Sequence, residues 1–268
     1  MIQISDTEFG CFQRLIFEQA GIALGDTKKA LVSGRLARRL QACNLTSYGE
    51  YFRFLTSGEA PIELQTAIDL LTTNETYFFR EPKHFQFLRR QVMSGAMGGD
   101  QSIRVWSAAS STGEEAYSIA MLLQDCLPGQ AWEVIASDIS TRVLQRARDG
   151  HYRMERLDHF PTGYLQRFCL KGQKEQEGTM LVSRGVREKV RFLQVNLNGP
   201  LPHLGLFDVI FLRNVLIYFN AETKRRVVAR ILNALRPGGH LFIGHSESLI
   251  EVSEAMESVA PAIYRKPP

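Results

Sequence analysis

The stretch 103–138, IRVWSAASSTGEEAYSIAMLLQDCLPGQAWEVIASD, constrains the fold more than any other part of the chain. An apolar run, Ile103 to Ala109, leads into four small residues, Ser110-Ser111-Thr112-Gly113. Apolar positions then recur at Ala116, Ile119, Ala120 and Leu123, the i, i+3, i+4, i+7 spacing of a helix with one buried face. A second apolar run, Trp132 to Ala136, stops at Asp138. Strand, small-residue loop, helix and strand in that order open a nucleotide-binding sheet. The loop lets a ligand approach the backbone, and the acid at the tip of the second strand stands where ribose hydroxyls would be. An adenosine-containing cofactor is expected.

The pattern on either side divides the chain. Residues 1–90 read as helical. Phe9, Phe12 and Ile16 mark one apolar stripe, and Leu31, Leu36 and Leu40 a second, on a helix that also carries Lys28, Lys29, Arg35, Arg38 and Arg39. Tyr48–Leu55 and Ile62–Leu71 make two more, the latter with Pro61 placed to open it. Gly95-Ala96-Met97-Gly98-Gly99 is a break. Strands are then expected at 103–109, 132–137, 190–195, 207–213 and 239–244, with a last one at about 258–265. They alternate with helices, which implies a largely parallel sheet covered on both faces. A helix from Ala221 to Leu235 takes Asn220 as N-cap and Pro237-Gly238-Gly239 as its stop. Residues 150–190 are polar and too long for a simple connection, so a small β-rich insertion is expected there.

Bulk properties narrow the function classes. A chain of 268 residues with 44% apolar content builds one large domain, or one large and one small, with a full core. A net charge of +4 is too weak to argue for nucleic acid. Cys11, Cys43, Cys126 and Cys169 are scattered without metal spacing and read as reduced and buried, which suits a cytosolic protein. Met1-Ile2-Gln3 begins no signal peptide, and no apolar run approaches the roughly 18 residues of a membrane span. The histidines show no ligand spacing, so no metal is expected. His245, Ser246 and Glu247 are sequence neighbours, whereas a catalytic triad converges from separated positions.

The loop discriminates among cofactors. Dinucleotide enzymes show G-x-G-x-x-G, and a P-loop ends in Gly-Lys-Ser/Thr. Here the loop holds one glycine, Gly113, which suits a ligand without a pyrophosphate. S-adenosylmethionine fits: Glu115 is a candidate for its ammonium group and Asp138 for its ribose. The spacing leaves a bland alternative for each, because Thr112-x-x-Glu115 is also a capping box and Asp138 competes with Ser140 to cap the next helix. The segment FDVIFLRNVLIYF is apolar until Arg213-Asn214, so its polar residues stand at the carboxyl end of the fourth strand, the edge that faces the ligand crevice. Tyr218 follows four residues later, and VNLN at 195–198 ends the third strand in the same way.

Six motifs in order, TTNETYFFRE (72–81), VWSAASSTGEEAYSIAM (105–121), ASDIS (136–140), VNL (195–197), FLRNVLIYF (211–219) and GHSES (244–248), resemble the chemotaxis receptor methyltransferases, the CheR family. The resemblance spans nearly the whole chain. It implies a Rossmann-like S-adenosylmethionine-dependent methyltransferase sheet with a small β insertion, preceded by an all-helical domain. In those terms residues 1–75 are a helical receptor-binding domain, 76–100 a linker, and 101–268 the methyltransferase domain with its insertion at about 150–190. The implied reaction is methylation of glutamate side chains on chemoreceptor cytoplasmic helices, part of sensory adaptation, yielding methyl esters and S-adenosylhomocysteine in the cytoplasm. By match to family positions, Asn74, Thr76 and Arg80 line the cofactor from the linker. Glu115 meets the ammonium, Asp138 the ribose, and Asn196 and Leu197 the adenine side. Leu212, Arg213 and Asn214 stand beside the methionine part, and Tyr218 near the transferred methyl. Arg80 and Tyr218 are the catalytic candidates, Arg80 placing a carboxylate and Tyr218 lining the methyl path.

A carboxylate nucleophile is ionised at neutral pH, with a pKa of about 4.3 for glutamate, so the reaction needs positioning rather than a general base. Arg35, Arg38 and Arg39 are the candidates for steering acidic receptor helices, against the alternative of a solvated helix face. Some family members dock a receptor C-terminal tail peptide through the β insertion; residues 150–190 leave that open here. Neither nucleic acid nor membrane insertion is expected. Two rivals stand beside this reading: a methyltransferase acting on RNA or a small molecule, and a regulator that binds S-adenosylmethionine without turnover.

Overall fold

The computed structural model describes residues 2–95, 102–250, 252–253 and 255–268. The N-terminal part is four helices, α1 (Asp6–Ala20), α2 (Lys29–Ala42), α3 (Tyr48–Thr56) and α4 (Pro61–Leu71). Local chemistry sets their ends. In α1 and α3 the capping serine accepts the N–H of a glutamate three residues on, while that glutamate reaches back to the serine N–H: Ser5 with Glu8, and Ser47 with Glu50. Each pair satisfies two amides that a helix start otherwise leaves without partners. Pro61 opens α4, where its missing N–H costs nothing. The stripe Phe9, Phe12, Ile16 packs with Leu36, Leu40, Tyr48 and Tyr51 in one cluster, with Leu31 on its rim. Each fully buried side chain of this kind contributes roughly 1.5–3 kcal/mol.

Helix α5 (Pro82–Met93) lies in the stretch expected to be linker. Its Phe85, Leu88 and Val92 are buried in the same cluster as the sheet, so it packs as part of the second domain. The expected break after it is described only at Gly95; residues 96–99 lie outside the described residues.

The second domain runs β1 (Ile103–Ala108), α6 (Glu114–Cys126), β2 (Trp132–Asp138), α7 (Thr141–Asp149), β3 (His151–Arg153), α8 (Tyr164–Phe168), β4 (Cys169–Lys171), β5 (Thr179–Val182), α9 (Arg184–Arg187), β6 (Val190–Gln194), β7 (Phe207–Leu212), α10 (Ala221–Asn233), β8 (Leu235–Ile243), β9 (Glu257–Ala260) and β10 (Ile263–Arg265). Seven strands form one sheet in the order β6-β2-β1-β7-β8-β10-β9. The first five are parallel, and β10 and β9 close the edge antiparallel. Every residue of β7 is buried, as expected for a strand covered on both faces. The chain leaves β1 towards β2 on one side and returns to β7 on the other. The carboxyl ends of β1 and β7 therefore flank a topological switch point, where open α/β sheets bind ligands.

Three departures from the sequence expectations have local causes. The single strand expected at 258–265 is a hairpin, β9 and β10, turned at Pro261-Ala262 with Ala262 in the left-handed region (φ 59°). Helix α10 takes Asn220 as its cap and ends at Asn233, and Pro237-Gly238-Gly239 sits within β8, not ahead of it. Leu235 already pairs with Phe207, and the register shifts before Val209 meets His240. A Cβ on Gly239 would stand 3.0 Å from the carbonyl oxygen of Asp208. The cysteines are half-buried, all four with free thiols.

The expected insertion is a three-stranded antiparallel sheet, β3-β5-β4. Asp69 joins the two domains: from α4 it accepts the N–H of Thr141 (3.1 Å) and Arg142 (3.1 Å) and the Thr141 hydroxyl (2.7 Å). A carboxylate on these N-terminal amides of α7 also meets the positive end of the helix dipole.

Candidate functional site

A cleft with about 870 Å³ of empty space, counted out to its mouth, lies over the switch point. Six segments line it: the end of α1 (Ala20, Ile22), the linker (Thr72–Thr76 and Arg80), the β1 loop (Ala109–Ser111) with Glu115, Asp138-Ile139, Val195–Leu197, and the β7 end (Arg213–Val215, Tyr218, Phe219). Asn74, Thr76, Arg80, Glu115, Asp138, Asn196, Leu197, Arg213, Asn214 and Tyr218 thus come together from positions up to 144 residues apart.

The β1 loop is built for close approach. Ala109 (φ 71°) and Ser111 (φ 49°) take left-handed backbone, uncommon for residues with a side chain. Gly113 (φ 95°) caps α6; a Cβ there would lie 2.8 Å from the Ala147 Cβ, so glycine is needed both for the turn and for packing against α7. The capping-box alternative for Glu115 is not realised. Thr112 bonds Glu114 instead (2.6 Å), and Glu115 accepts from the Ser107 hydroxyl (2.7 Å) and Arg213 (3.1 Å) inside the cleft. Burial raises the Glu115 pKa, against the pull of Arg213 and Ser107. Asp138 does not cap α7, since Ser140 does. Its two oxygens accept N–H groups of Ser111 and Ser140, each at 2.9 Å, which leaves lone pairs for further donors. Burial pushes Asp138 up to about 6, against the three backbone amides that favour its charged form. The buried Ser110 hydroxyl has no partner within the protein, as a polar ligand site requires.

At the β7 end Arg213 is buried and bridges Glu81 (3.0 Å) and Glu115 (3.1 Å), and Nη2, the nitrogen that meets Glu81, also donates to the Arg80 carbonyl (2.6 Å). Asn214 is left-handed (φ 56°), and its N–H donates to Glu247 (2.8 Å). The same carboxylate accepts the N–H of Gly244 (2.6 Å) and Ile217 (3.3 Å), so Glu247 ties the β7 loop to the turn after β8. Tyr218 is held from the other domain: its carbonyl accepts the N–H of Ala23 (2.8 Å). Burial raises its hydroxyl pKa. Glu81 and Glu247 stand in motifs noted above, but nothing in the sequence assigned them these tasks; for Glu247 a charge in a small-residue turn was the available signal.

Several candidates sit elsewhere than expected. The Leu212 side chain is fully buried with Trp106, Ile210 and Leu241 and does not line the cleft. Asn196 lines it, but its amide is committed, donating to the Gln19 carbonyl (2.6 Å) and accepting from the Asn198 N–H (2.9 Å). Arg35 donates to the carbonyls of Leu71 (2.9 Å) and Thr72 (3.1 Å), and so fixes the linker instead of facing a partner. Arg39 forms a two-pronged pair with Glu63 (2.8 and 2.6 Å). Of the three arginines proposed to steer a substrate, only Arg38 is exposed. Glu81, His84 and His245 bring a carboxylate and two imidazoles within 4.8 Å. Arg213 already stands 3.0 Å from the shared Glu81 oxygen, and a second cation there would be opposed by it.

A largely parallel sheet, a glycine-poor loop at its switch point and two buried acids aimed into one cleft are the site of a Rossmann-like S-adenosylmethionine-dependent methyltransferase. The model of the CheR methyltransferase SAM-binding domain matches residues 74–264, and that of the CheR methyltransferase all-alpha domain matches residues 7–72. The chain is 41% identical to the chemotaxis protein methyltransferase of Escherichia coli (strain K12), over 98% of this chain and 92% of that protein. It is 43% identical to the Salmonella typhimurium protein of the same name, over 98% and 91%. With chemotaxis protein methyltransferase 2 of Pseudomonas aeruginosa it shares 40%, over 96% and 92%. The chain belongs to the CheR methyltransferase family, and its cofactor is S-adenosylmethionine.

Proposed function

We propose that the protein methylates glutamate side chains on the cytoplasmic helices of chemoreceptors, giving glutamate methyl esters and S-adenosylhomocysteine. When bound, S-adenosylmethionine supplies an electrophilic methyl group on a sulfonium. Glu115 offers a carboxylate to the cofactor's ammonium, Asp138 accepts its ribose hydroxyls, and Asn74, Thr76 and the main chain at Asn196-Leu197 close the remaining walls. Arg80 and Tyr218 stand where an acceptor would enter, Arg80 drawing in an anion and Tyr218 lining the path.

The observation that carries the reading is the make-up of the cleft. Its lining contains two arginines and a tyrosine and, among the described residues, no histidine. Of its acids, Glu115 is paired with Arg213, Glu75 with Arg156, and Asp138 is held by the Ser111 and Ser140 N–H groups at the position assigned to the ribose. An amine or hydroxyl acceptor would need a base to take its proton. A carboxylate is already ionised and needs only orientation and partial desolvation. The work is expected to take place in the cytoplasm; among the described residues no helix is long and apolar enough to cross a membrane. Arg38, on the exposed side of α2, remains the candidate there for contact with an acidic receptor helix.

Radiolabelled S-adenosylmethionine with a chemoreceptor cytoplasmic fragment tests the proposal. Base-labile label on glutamates is the expected product. Base-stable label, or binding without turnover, would overturn it.

A further inference from the structure

Glu75 has no place in the cofactor scheme, yet it lines the same cleft between Asn74 and Thr76. Its side chain is exposed, and its Oε1 lies 2.7 Å from Nη1 of Arg156. Arg156 belongs to the insertion, in the segment between β3 and α8, and holds a left-handed backbone (φ 55°). Arg80 stands alongside: its Nη1 donates to the Glu75 carbonyl (3.1 Å), and its guanidinium lies 5.7 Å from the centre of the Tyr77 ring. The Arg156 guanidinium, and after it that of Arg80, holds the Glu75 carboxyl below its usual range; the Tyr218 hydroxyl in turn feels both Arg80 and Glu75. Glu75, Arg80 and the candidate catalytic phenol of Tyr218 therefore line one cleft, and the Arg156 guanidinium adjoins it through Glu75. The pair is open to solvent, with side chains 62% and 69% exposed. So exposed a pair adds little to stability and yields readily to a competing carboxylate.

We propose that Arg156, with Arg80 beside it, is the seat for the substrate's side-chain carboxylate, and that Glu75 occupies this seat until a substrate glutamate displaces it. The inference rests on the glutamate reading given above. It makes Arg156 a residue for glutamate recognition, and Glu75 an internal competitor that weakens substrate binding.

The test is steady-state label transfer to a chemoreceptor cytoplasmic fragment by the full chain and by Glu75→Gln, Arg156→Ala, Arg156→Lys and the Glu75→Gln, Arg156→Ala double variant. Calorimetric titration with S-adenosylhomocysteine is run alongside. An occupied seat reduces apparent affinity by the fraction of time it is filled, so Glu75→Gln should lower KM about two- to six-fold. Arg156→Ala should raise KM by a similar factor, and Arg156→Lys should recover part of the loss. In the Arg156→Ala background Glu75→Gln should change nothing further, because both act through one contact. S-adenosylhomocysteine affinity should stay within about two-fold throughout. A purely structural pair would move KM the same way in both single variants, and a general charge effect would lower KM equally with and without Arg156. Either result overturns the proposal. Failure of the glutamate reading shows separately, as base-stable label or no label with the unaltered protein.

Discussion

Asp138 ties cofactor binding to pH, and the size of the effect follows from its surroundings. Its carboxylate is almost fully buried, keeps two backbone N–H donors at 2.9 Å and titrates at about 6 because burial disfavours its charge. Asp138→Asn keeps the shape but replaces one acceptor by an NH2 facing a backbone N–H, and makes the other neutral. Hydrogen bonds to a charged group are worth about 1.5–3 kcal/mol against roughly 1 for neutral ones. The loss in cofactor binding is then about 2–3 kcal/mol, or roughly 30- to 150-fold in Kd. In the unaltered protein, protonation below pH 6 removes the same charge, so Kd should rise towards ten-fold per unit as the pH falls; in the variant the share due to Asp138 should vanish, leaving that of Glu115, whose pKa burial also raises. Stability runs the opposite way. The folded value of about 6 lies above the ordinary 3.8, so the group favours folding while protonated, and that contribution is lost as pH rises through 6. The gap corresponds to about 3 kcal/mol at pH 7, and the uncharged variant should show no fall in Tm there. Titration calorimetry with S-adenosylhomocysteine from pH 5 to 8, with thermal unfolding at pH 7, checks all three. A Kd within three-fold of the unaltered protein, with the same pH slope, would remove Asp138 from the ribose position.

Four further outcomes are expected. Arg35→Ala, which frees the Leu71 and Thr72 carbonyls, should weaken S-adenosylhomocysteine binding about five- to thirty-fold by loosening the linker wall, roughly 1–2 kcal/mol for lost charged hydrogen bonds. Arg38→Glu should leave that binding alone and reduce receptor methylation; calorimetry and label transfer separate the two. Glu247→Gln retains one strong acceptor where three N–H groups converge, so it should lower kcat more than it raises the KM for S-adenosylmethionine, as seen in steady-state kinetics. Gly113→Ala forces a Cβ to 2.8 Å from Ala147 at φ 95° and should cost about 2–4 kcal/mol, read as a lowered Tm.

Much of the architecture was legible because it is local. Stripe periodicity marked the faces that α1 and α2 bury, Pro61 and Asn220 marked helix starts, and apolar runs marked the strands. The start of the strand at Pro237-Gly238-Gly239 is misplaced because an irregular strand and a loop share the same turn residues, and only pairing with Phe207 tells them apart. The site was partly legible for a different reason. In an open parallel sheet the carboxyl ends of the strands face one crevice, so Glu115, Asp138, Asn214 and Tyr218 could be placed without coordinates. The burial of Leu212 and the bonds that occupy the Asn196 amide were not legible, because residue type and position do not say whether a side chain turns to the crevice, the core or a neighbouring helix.

Taken alone, the sequence determines the order of elements, the glycine-poor loop that suits S-adenosylmethionine, and the acids at its two ends. Each depends on contacts within a turn, a helix or a strand, so spacing records it. The tertiary structure decides the tasks of the charged side chains. It turns Arg35 and Arg39 from a presumed docking face into internal ties, and spans α4 to α7 through Asp69. It also buries Arg213 between Glu81 and Glu115. A long polar side chain goes wherever a partner offsets its desolvation, and those partners lie tens to more than a hundred residues away in the chain.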